Sequence, residues 1–67
     1  MEKKSTKEKI VLAALDLFAE KGYDGVGVDQ IAETVGIKGP SLYHHFKSKE
    51  DILNAIIDIN EVHYNLN

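Results

Sequence analysis

Hydrophobic residues near the start of the chain recur at the spacing of an α-helix. Four apolar residues lie at i, i+4, i+7 and i+8 and share one helix face: Ile10, Ala14, Leu17 and Phe18. Lys21 and Gly22 follow, and a cation before a glycine is a common helix C-terminus. The pattern predicts a first helix over residues 6–21.

The next segment changes from turn residues to a short apolar pattern. Residues 23–27 contain two more glycines and an aspartate, a composition that predicts a loop without regular structure. A second helix fits residues 28–35, with three residues facing inward: Ile31, Ala32 and Val35. The opposite face is polar: Asp29, Gln30, Glu33 and Thr34. Gly36 is expected to end this helix in the left-handed conformation, which glycine adopts at low cost.

Two further helices complete the prediction of an all-α fold. Pro40 suits the first turn of a third helix over residues 39–46, where its missing N–H costs nothing. The apolar residues of that helix are Leu42, Tyr43 and Phe46. Ser48, followed by two acids, is typical of a helix cap and predicts a fourth helix over residues 49–66. No segment has a strand pattern.

The predicted fourth helix is apolar around most of its circumference. Its apolar residues are Ile52, Leu53, Ile56, Ile57, Ile59, Val62 and Tyr64. A helix that covers one small core needs only an apolar stripe. We therefore expect Ile57 and the residues beyond it to meet another domain or subunit. The alternative is an ordinary core with scattered exposed hydrophobic side chains, which are common.

Composition limits the chemistry that the chain can carry out. Sixty-seven residues allow one small domain, and the absence of cysteine excludes disulfides and thiolate metal sites. The net charge of −3 is unevenly placed, because residues 1–49 hold all eight lysines and carry +1, whereas residues 50–67 carry −4. Residues 38–49 contain three lysines, two histidines and no acid. No apolar run suits a membrane span or signal peptide, so we expect a cytoplasmic protein.

The second and third helices form a predicted helix-turn-helix. Ala32 is small where the two helices must approach, and Gly36 supplies the turn four residues later. The apolar residues between the helices are Ile31, Val35, Ile37 and Leu42. Such a motif projects a short helix from a rigid support, and the major groove of DNA is wide enough for one helix.

Several motifs, taken in order, resemble one protein family. They are IVLAALDLFAEKG (residues 10–22), Ile31-Ala32, Gly36-Ile37 and SLYHHFKSKEDIL (residues 41–53). Together they resemble the DNA-binding domain of tetracycline-repressor (TetR) family transcriptional regulators. The resemblance implies a three-helix head, with helix 3 as recognition helix and helix 4 leading to a helical ligand-binding and dimerisation domain. We expect that second domain to be absent from residues 1–67.

The candidate DNA-binding residues lie mainly on and around helix 3. They are Val28, Lys38, Gly39, Pro40, Ser41, Tyr43, His44, His45 and Lys49. The resemblance implies that Tyr43 and His45 contact the sugar-phosphate backbone and that Lys49 contacts a phosphate. Independently of the resemblance, a lysine at a helix N-terminus adds positive charge to a site that already favours anions. Pro40 offers an apolar contact to a thymine methyl group, and which of the polar side chains reads a base stays open.

The sequence departs from the family pattern at three positions. Gly27 stands where a capping Thr or Ser that contacts phosphate is usual, so that contact is in doubt. Lys38 replaces the usual Ser at the start of helix 3, and Gly39 takes the common basic position, so phosphate contact could shift to Lys38. Arginine is absent, which removes the bidentate arginine–guanine contact.

These observations predict a sequence-specific, double-stranded DNA-binding head of a ligand-responsive bacterial regulator, acting as a repressor at the nucleoid. We expect a homodimer for the full-length regulator, a small-molecule effector bound only by the absent domain, no cofactor and no membrane partner. No metal site is expected, because adjacent histidines diverge on a helix and lack a spaced third ligand. A protein-interaction module using helix 4 is the alternative, and catalysis is not expected because the chain is too short to enclose a pocket.

Overall fold

Residues 4–65 fold into four α-helices joined by short connections. The computed structural model describes residues 4–65, and the side chains of residues 4–58. The elements are α1 (Thr6–Lys21), a 3₁₀ turn (Tyr23–Gly25), α2 (Val28–Val35), α3 (Gly39–His45) and α4 (Lys49–Asn65). Residues 4–65 contain no strand, so the predicted all-α fold is confirmed.

A capping box starts α1. The Ser5 hydroxyl accepts a hydrogen bond from the Glu8 N–H at 3.1 Å, and the Glu8 carboxylate accepts one from the Ser5 N–H at 2.9 Å. These bonds satisfy donors that a helix N-terminus leaves without intrahelical partners. The helix bounds equal those predicted from the apolar spacing.

One hydrophobic core holds the four helices together. Its buried members are Ile10, Val11, Ala14, Val26, Ile31, Ala32, Leu42, Phe46, Ile52 and Ile56. Five of them are almost fully inaccessible to solvent: Ile10, Val26, Ile31, Leu42 and Ile52. Four of these five residues come from the four helices, one from each, and Val26 comes from the connection between α1 and α2. Helix α3 therefore packs on a core to which every helix contributes.

The ends of α3 and α4 follow from their capping residues. Helix α3 ends at His45, one residue before the predicted end, because the Phe46 backbone is extended, with φ −136° and ψ 129°. The buried Phe46 side chain still packs in the core. Helix α4 begins at Lys49, and the Ser48 hydroxyl accepts from the Asp51 N–H at 3.2 Å, as a cap should. Residue 66, the predicted end of α4, lies outside the described residues.

The connection between α1 and α2 is more ordered than its composition predicts. The expectation that residues 23–27 have no regular structure is wrong, because residues 23–25 form a 3₁₀ turn. Val26, directly after this turn, is only 2% exposed. Burial of this side chain holds the connection against the core, which composition alone does not reveal.

Helix α4 buries one face and exposes another within the part that is described. Ile52 and Ile56 lie in the core, whereas Ile57 is 45% exposed. Exposure of Ile57 agrees with the expectation that it meets a further partner, which stays a prediction. We expect three later residues of α4 to meet the same partner, and their side chains lie outside the described ones: Ile59, Val62 and Tyr64. Among the described residues, the helices are too short or too polar to cross a membrane.

Candidate nucleic-acid interface

The turn between α2 and α3 closes through hydrogen bonds to the end of α2. Gly36 adopts the left-handed conformation, with φ 89° and ψ 28°. Its N–H donates to the Ala32 and Glu33 carbonyls at 2.9 and 3.1 Å, and the Ile37 N–H donates to the Ala32 carbonyl at 3.0 Å. This pattern is a Schellman motif, which satisfies the last carbonyls of a helix. The predicted role of Gly36 is confirmed.

Apolar side chains between α2 and α3 set the angle at which α3 leaves the core. Ile31 and Leu42 are fully buried, and Ala32 is 3% exposed where the two helices approach. The partly buried side chains of Val35 and Ile37 pack against the same cluster. The predicted helix-turn-helix is therefore present, and α3 packs on the core through Leu42.

The opposite side of α3 is open to solvent. We call the exposed residues of this side the recognition face: Pro40, Ser41, Tyr43, His44 and His45. Tyr43 is 48% exposed, so the expectation that it joins Leu42 and Phe46 on the apolar side is wrong, and its ring is accessible to a partner. The two histidine rings lie edge to face, with centroids 5.8 Å apart. Four of the five residues line one shallow depression: Pro40, Ser41, His44 and His45.

The N-terminus of α3 combines an exposed lysine with an uncapped first turn. Lys38 is the N-cap residue, is extended, and makes no capping hydrogen bond with its side chain. The Lys38 side chain is exposed and can extend away from the protein. Gly39 is half-buried and follows it as the first helical residue. Pro40 has no N–H and the Ser41 N–H donates to the Lys38 carbonyl at 3.0 Å, so the Lys38 ammonium is the main group here that suits a phosphate.

One acid lies closer to this site than its sequence position suggests. The Asp29 carboxylate oxygen Oδ1 is 3.7 Å from the point that a Cβ atom on Gly39 would occupy. Asp29 belongs to the first turn of α2, ten residues earlier in the chain. A carboxylate here stabilises the positive end of the α3 dipole and competes with an incoming phosphate. The positive segment 38–49 is thus partly neutralised by a residue from outside it.

The N-terminus of α2 presents main-chain donors rather than a capping side chain. Gly27 is the N-cap and forms no side-chain hydrogen bond, as expected for a glycine. Its carbonyl accepts from Gln30 and Ile31, at 3.1 and 3.2 Å, which starts the helical pattern. The first N–H groups of a helix, here those of Val28 and Asp29, have no intrahelical acceptor. The Val28 side chain packs against the core, so its possible DNA contact is through the main chain.

Lys49 points toward the protein and not away from it. Its ammonium nitrogen Nζ donates to the Tyr23 carbonyl at 2.7 Å and to the Val26 carbonyl at 2.9 Å. The same nitrogen lies 4.1 Å from the centroid of the Tyr23 ring. The phosphate contact that the family resemblance implies for Lys49 stays a prediction. The two carbonyl partners were not foreseen, because contacts 23 and 26 residues apart leave no local signal.

Metal binding has no support from the described part of the chain. Residues 4–58 contain no group of three histidine, cysteine, aspartate or glutamate side chains placed to share a metal ion. The side chains of His44 and His45 are exposed on the recognition face, where they can donate to or accept from DNA.

Comparison with known proteins identifies the family. Residues 10–56 match the family described as bacterial regulatory proteins, tetR family. The chain belongs to the tetR family. The match covers α1 from Ile10 onward, all of α2 and α3 and the first half of α4, which includes the recognition face. This tetR-family chain therefore contains the DNA-binding domain of a transcriptional regulator.

Two curated relatives carry the same name, biofilm operon icaADBC HTH-type negative transcriptional regulator IcaR. The protein from Staphylococcus aureus (strain Newman) is 47% identical, over 82% of this chain and 36% of its own length. The protein from Staphylococcus epidermidis (strain ATCC 35984) is 46% identical, over 78% of this chain and 28% of its own length. The tetR-family chain thus spans about a third of the length of the curated relatives that it matches.

Proposed function

We propose that this chain is the operator-binding head of a repressor and that α3 enters the major groove of double-stranded DNA. The recognition face carries the proposal, because it is solvent-exposed while Leu42 on the other side of α3 and Phe46 directly after the helix are buried. A helix of this kind can present its outer side chains to base edges. The relatives are named as negative transcriptional regulators, which supports repression.

The proposed contacts divide into phosphate and base contacts. Lys38 and the main-chain N–H groups at the α2 N-terminus bind phosphates, which places α3 along the groove. Tyr43 and His45 contact the sugar-phosphate backbone. Ser41 and His44 present donors and acceptors to base edges, and Pro40 packs on a thymine methyl group.

In the full-length regulator, two heads bind two half-sites about 34–36 Å apart on one face of the duplex. A small-molecule effector bound by a C-terminal domain changes the spacing of the heads and releases the operator. The proposed partners are a second copy of the chain, operator DNA and the effector, and the proposed site of action is bacterial nucleoid DNA. The chain acts by binding and not by catalysis.

A single head is expected to bind duplex DNA weakly. It makes few phosphate contacts and gains no tethered second contact, so we expect a Kd of about 10⁻⁴–10⁻⁶ M on mixed-sequence duplex. Fluorescence anisotropy with a labelled duplex at about 50 and 200 mM salt measures both affinity and its salt dependence. An affinity that does not change with salt concentration, or no binding at the lower salt concentration, would contradict the proposal.

Variants separate the two kinds of contact. Lys38→Gln is expected to weaken binding to all duplexes, because one phosphate contact is lost. The slope of log K against log salt concentration is expected to fall in magnitude by about 0.9. Tyr43→Ala is expected to weaken binding with the slope unchanged, because the phenol is uncharged. Lys47→Gln is the matched control, since Lys47 is exposed and carries the same charge outside the proposed contacts.

Exposed apolar side chains favour a protein-interaction module as the second candidate. Leu12, Leu15 and Ile57 are each at least 40% exposed, and they lie on α1 and α4, away from the recognition face. A module of this kind would lose its partner in Leu12→Ser or Ile57→Ser and keep it in Tyr43→Ala. Absence of duplex binding by the original chain, together with a protein partner that is lost in Leu12→Ser or Ile57→Ser, would favour this candidate over the operator-binding head.

A further inference from the structure

The side chain of Lys49 joins the start of α4 to the connection between α1 and α2. We call this set of contacts the Lys49 tether: the ammonium nitrogen, the Tyr23 and Val26 carbonyls and the Tyr23 ring. An ammonium group has three donors and no acceptor. Two donors are used on the carbonyls, and the ring face 4.1 Å away attracts the remaining positive charge.

The tether holds both ends of the 3₁₀ turn. Tyr23 is the first residue of this turn, and Val26 is the residue directly after it. The Val26 N–H also donates to the Tyr23 carbonyl at 3.3 Å, so one oxygen accepts from both the turn and Lys49. Hydrogen bonds with a charged donor are about twice as strong as neutral ones. The ammonium therefore sets the position of the turn relative to α4.

The same turn leads directly into the N-terminus of α2. Val26 is followed by Gly27, the N-cap of α2, which has no side chain to fix the first turn of that helix. Two supports remain: the buried Val26 side chain on one side of the main chain and the tether on its carbonyl. The direction of the Val28 and Asp29 N–H groups, which have no intrahelical acceptor, depends on these supports.

The tether reaches α1 as well. The Tyr23 ring packs on the Phe18 ring of α1, with centroids 5.1 Å apart and planes at 56°. A tilted pair at this distance is favourable. Lys49 thus connects α4 with α1 through one aromatic ring and with the connection before α2 through two carbonyls, and its part-buried position shields these bonds from water.

We propose that Lys49 is a positioning residue for DNA binding, which orients the N-terminus of α2 toward phosphate by holding the connection before it. This inference rests on the proposed DNA-binding function. It differs from a direct phosphate contact, because two of the three ammonium donors are used on main-chain carbonyls and the Tyr23 ring lies beside the same nitrogen. The N–H groups that Lys49 orients are uncharged, so its effect on affinity does not pass through counterion release.

The test compares three lysine variants of the whole 67-residue chain on one mixed-sequence duplex. Lys49→Met is expected to weaken binding about tenfold, which equals about 1.4 kcal/mol, with the slope of log K against log salt unchanged. Lys38→Met is expected to lower that slope by about 0.9, and Lys47→Met controls for the charge removed. Amide chemical shifts of the free Lys49→Met chain are expected to change over residues 22–30, and circular dichroism checks that the chain is folded.

A measurement on the unaltered chain covers the case in which Lys49→Met fails to fold. Nuclear magnetic resonance of the lysine ammonium nitrogen detects scalar coupling to the carbon of a carbonyl that accepts its hydrogen bond. Coupling of the Lys49 nitrogen to the Tyr23 and Val26 carbonyls is expected in the free chain and in the duplex complex. Coupling to a DNA phosphorus instead would overturn the proposal.

The remaining outcomes separate this inference from the proposed function. A Lys49→Met chain that binds DNA as tightly as the original overturns the positioning role alone. The same holds if the slope of log K against log salt falls in magnitude by about 0.9 while the amide shifts of residues 22–30 do not change. An original chain that binds no duplex at low salt overturns the proposed function and this inference with it.

Discussion

The connection after α2 is held by bonds among neighbouring residues, whereas the connection before α2 is held by residues far away in the chain. Gly36 closes the first through the carbonyls of Ala32 and Glu33, four and three residues earlier. The Tyr23–Gly25 turn and Val26 depend on Lys49, 26 and 23 residues later. Two short connections that flank one helix therefore obtain their shape by different means.

The difference matters for which substitutions each connection tolerates. A turn built on a left-handed glycine depends on that one residue, because other residues pay about 1–2 kcal/mol in that conformation. A connection built on a buried side chain and a lysine depends on packing and on a remote charge. We therefore expect the two connections to be sensitive to different substitutions.

Val26→Ala is expected to give the largest loss of stability. The side chain is 2% exposed, so its removal loses burial of two carbon atoms and leaves a cavity, which lowers the free energy of unfolding by about 2 kcal/mol. Urea denaturation measures the change. Val28→Ala is the control, because that side chain is only partly buried and a smaller loss is expected. Equal losses in the two variants would show that burial of Val26 does not hold the connection.

Gly36→Ala is expected to lower the free energy of unfolding by about 1.5 kcal/mol, since alanine would have to adopt a φ of 89°. Gly27→Ala is the matched control, because Gly27 has a φ of −101° and a Cβ atom there would meet nothing within 4 Å. Thermal and urea unfolding of both variants give the comparison. A Gly27→Ala chain that is as unstable as Gly36→Ala would refute the role assigned to the left-handed turn.

Lys49→Met is expected to lower the free energy of unfolding by about 1 kcal/mol, through loss of two charge-assisted hydrogen bonds to the connection before α2. Lys47→Met removes the same charge from an exposed position and is expected to change stability little. Hydrogen exchange of amides 22–30 locates the effect. Faster exchange at residues 36–38 instead would mean that the two connections are not held independently.

Gly27→Ser is expected to give the smallest effect, a gain of a few tenths of a kcal/mol from a capping hydroxyl at the start of α2. The backbone of Gly27 is extended and there is space for a side chain, so serine fits without strain. The same variant is expected to strengthen duplex binding, because the hydroxyl can reach a phosphate. Calorimetry and anisotropy check the two parts, and a loss of stability would contradict the capping geometry.

Local signals in the sequence were sufficient for most of the fold. The bounds of α1 and α2 match the predicted residues, because apolar spacing and glycine both act within a few residues. Ser48 was identified as a cap from its neighbours, and its hydroxyl accepts the expected bond from Asp51. The end of α3 was placed one residue late, since Phe46 keeps the apolar spacing while its backbone has already become extended.

The candidate site was predictable in outline and not in its electrostatics. The recognition face follows in part from α3 having one apolar side, so exposure of Ser41 and His44 could be expected, whereas Tyr43 is exposed although the pattern groups it with the apolar residues. The position of Asp29 beside Gly39 could not, because it depends on the angle between α2 and α3. The bonds of Lys49 could not be foreseen either, since main-chain carbonyls carry no signal in the sequence of side chains.

The sequence by itself determined the helices, the left-handed turn at Gly36 and membership of the tetR family, because each depends on residue types at short, regular spacing. Only the tertiary structure decided that Val26 is buried, that Asp29 faces the start of α3 and that Lys49 points inward. These features depend on distances between helices, which the packing of the whole core sets.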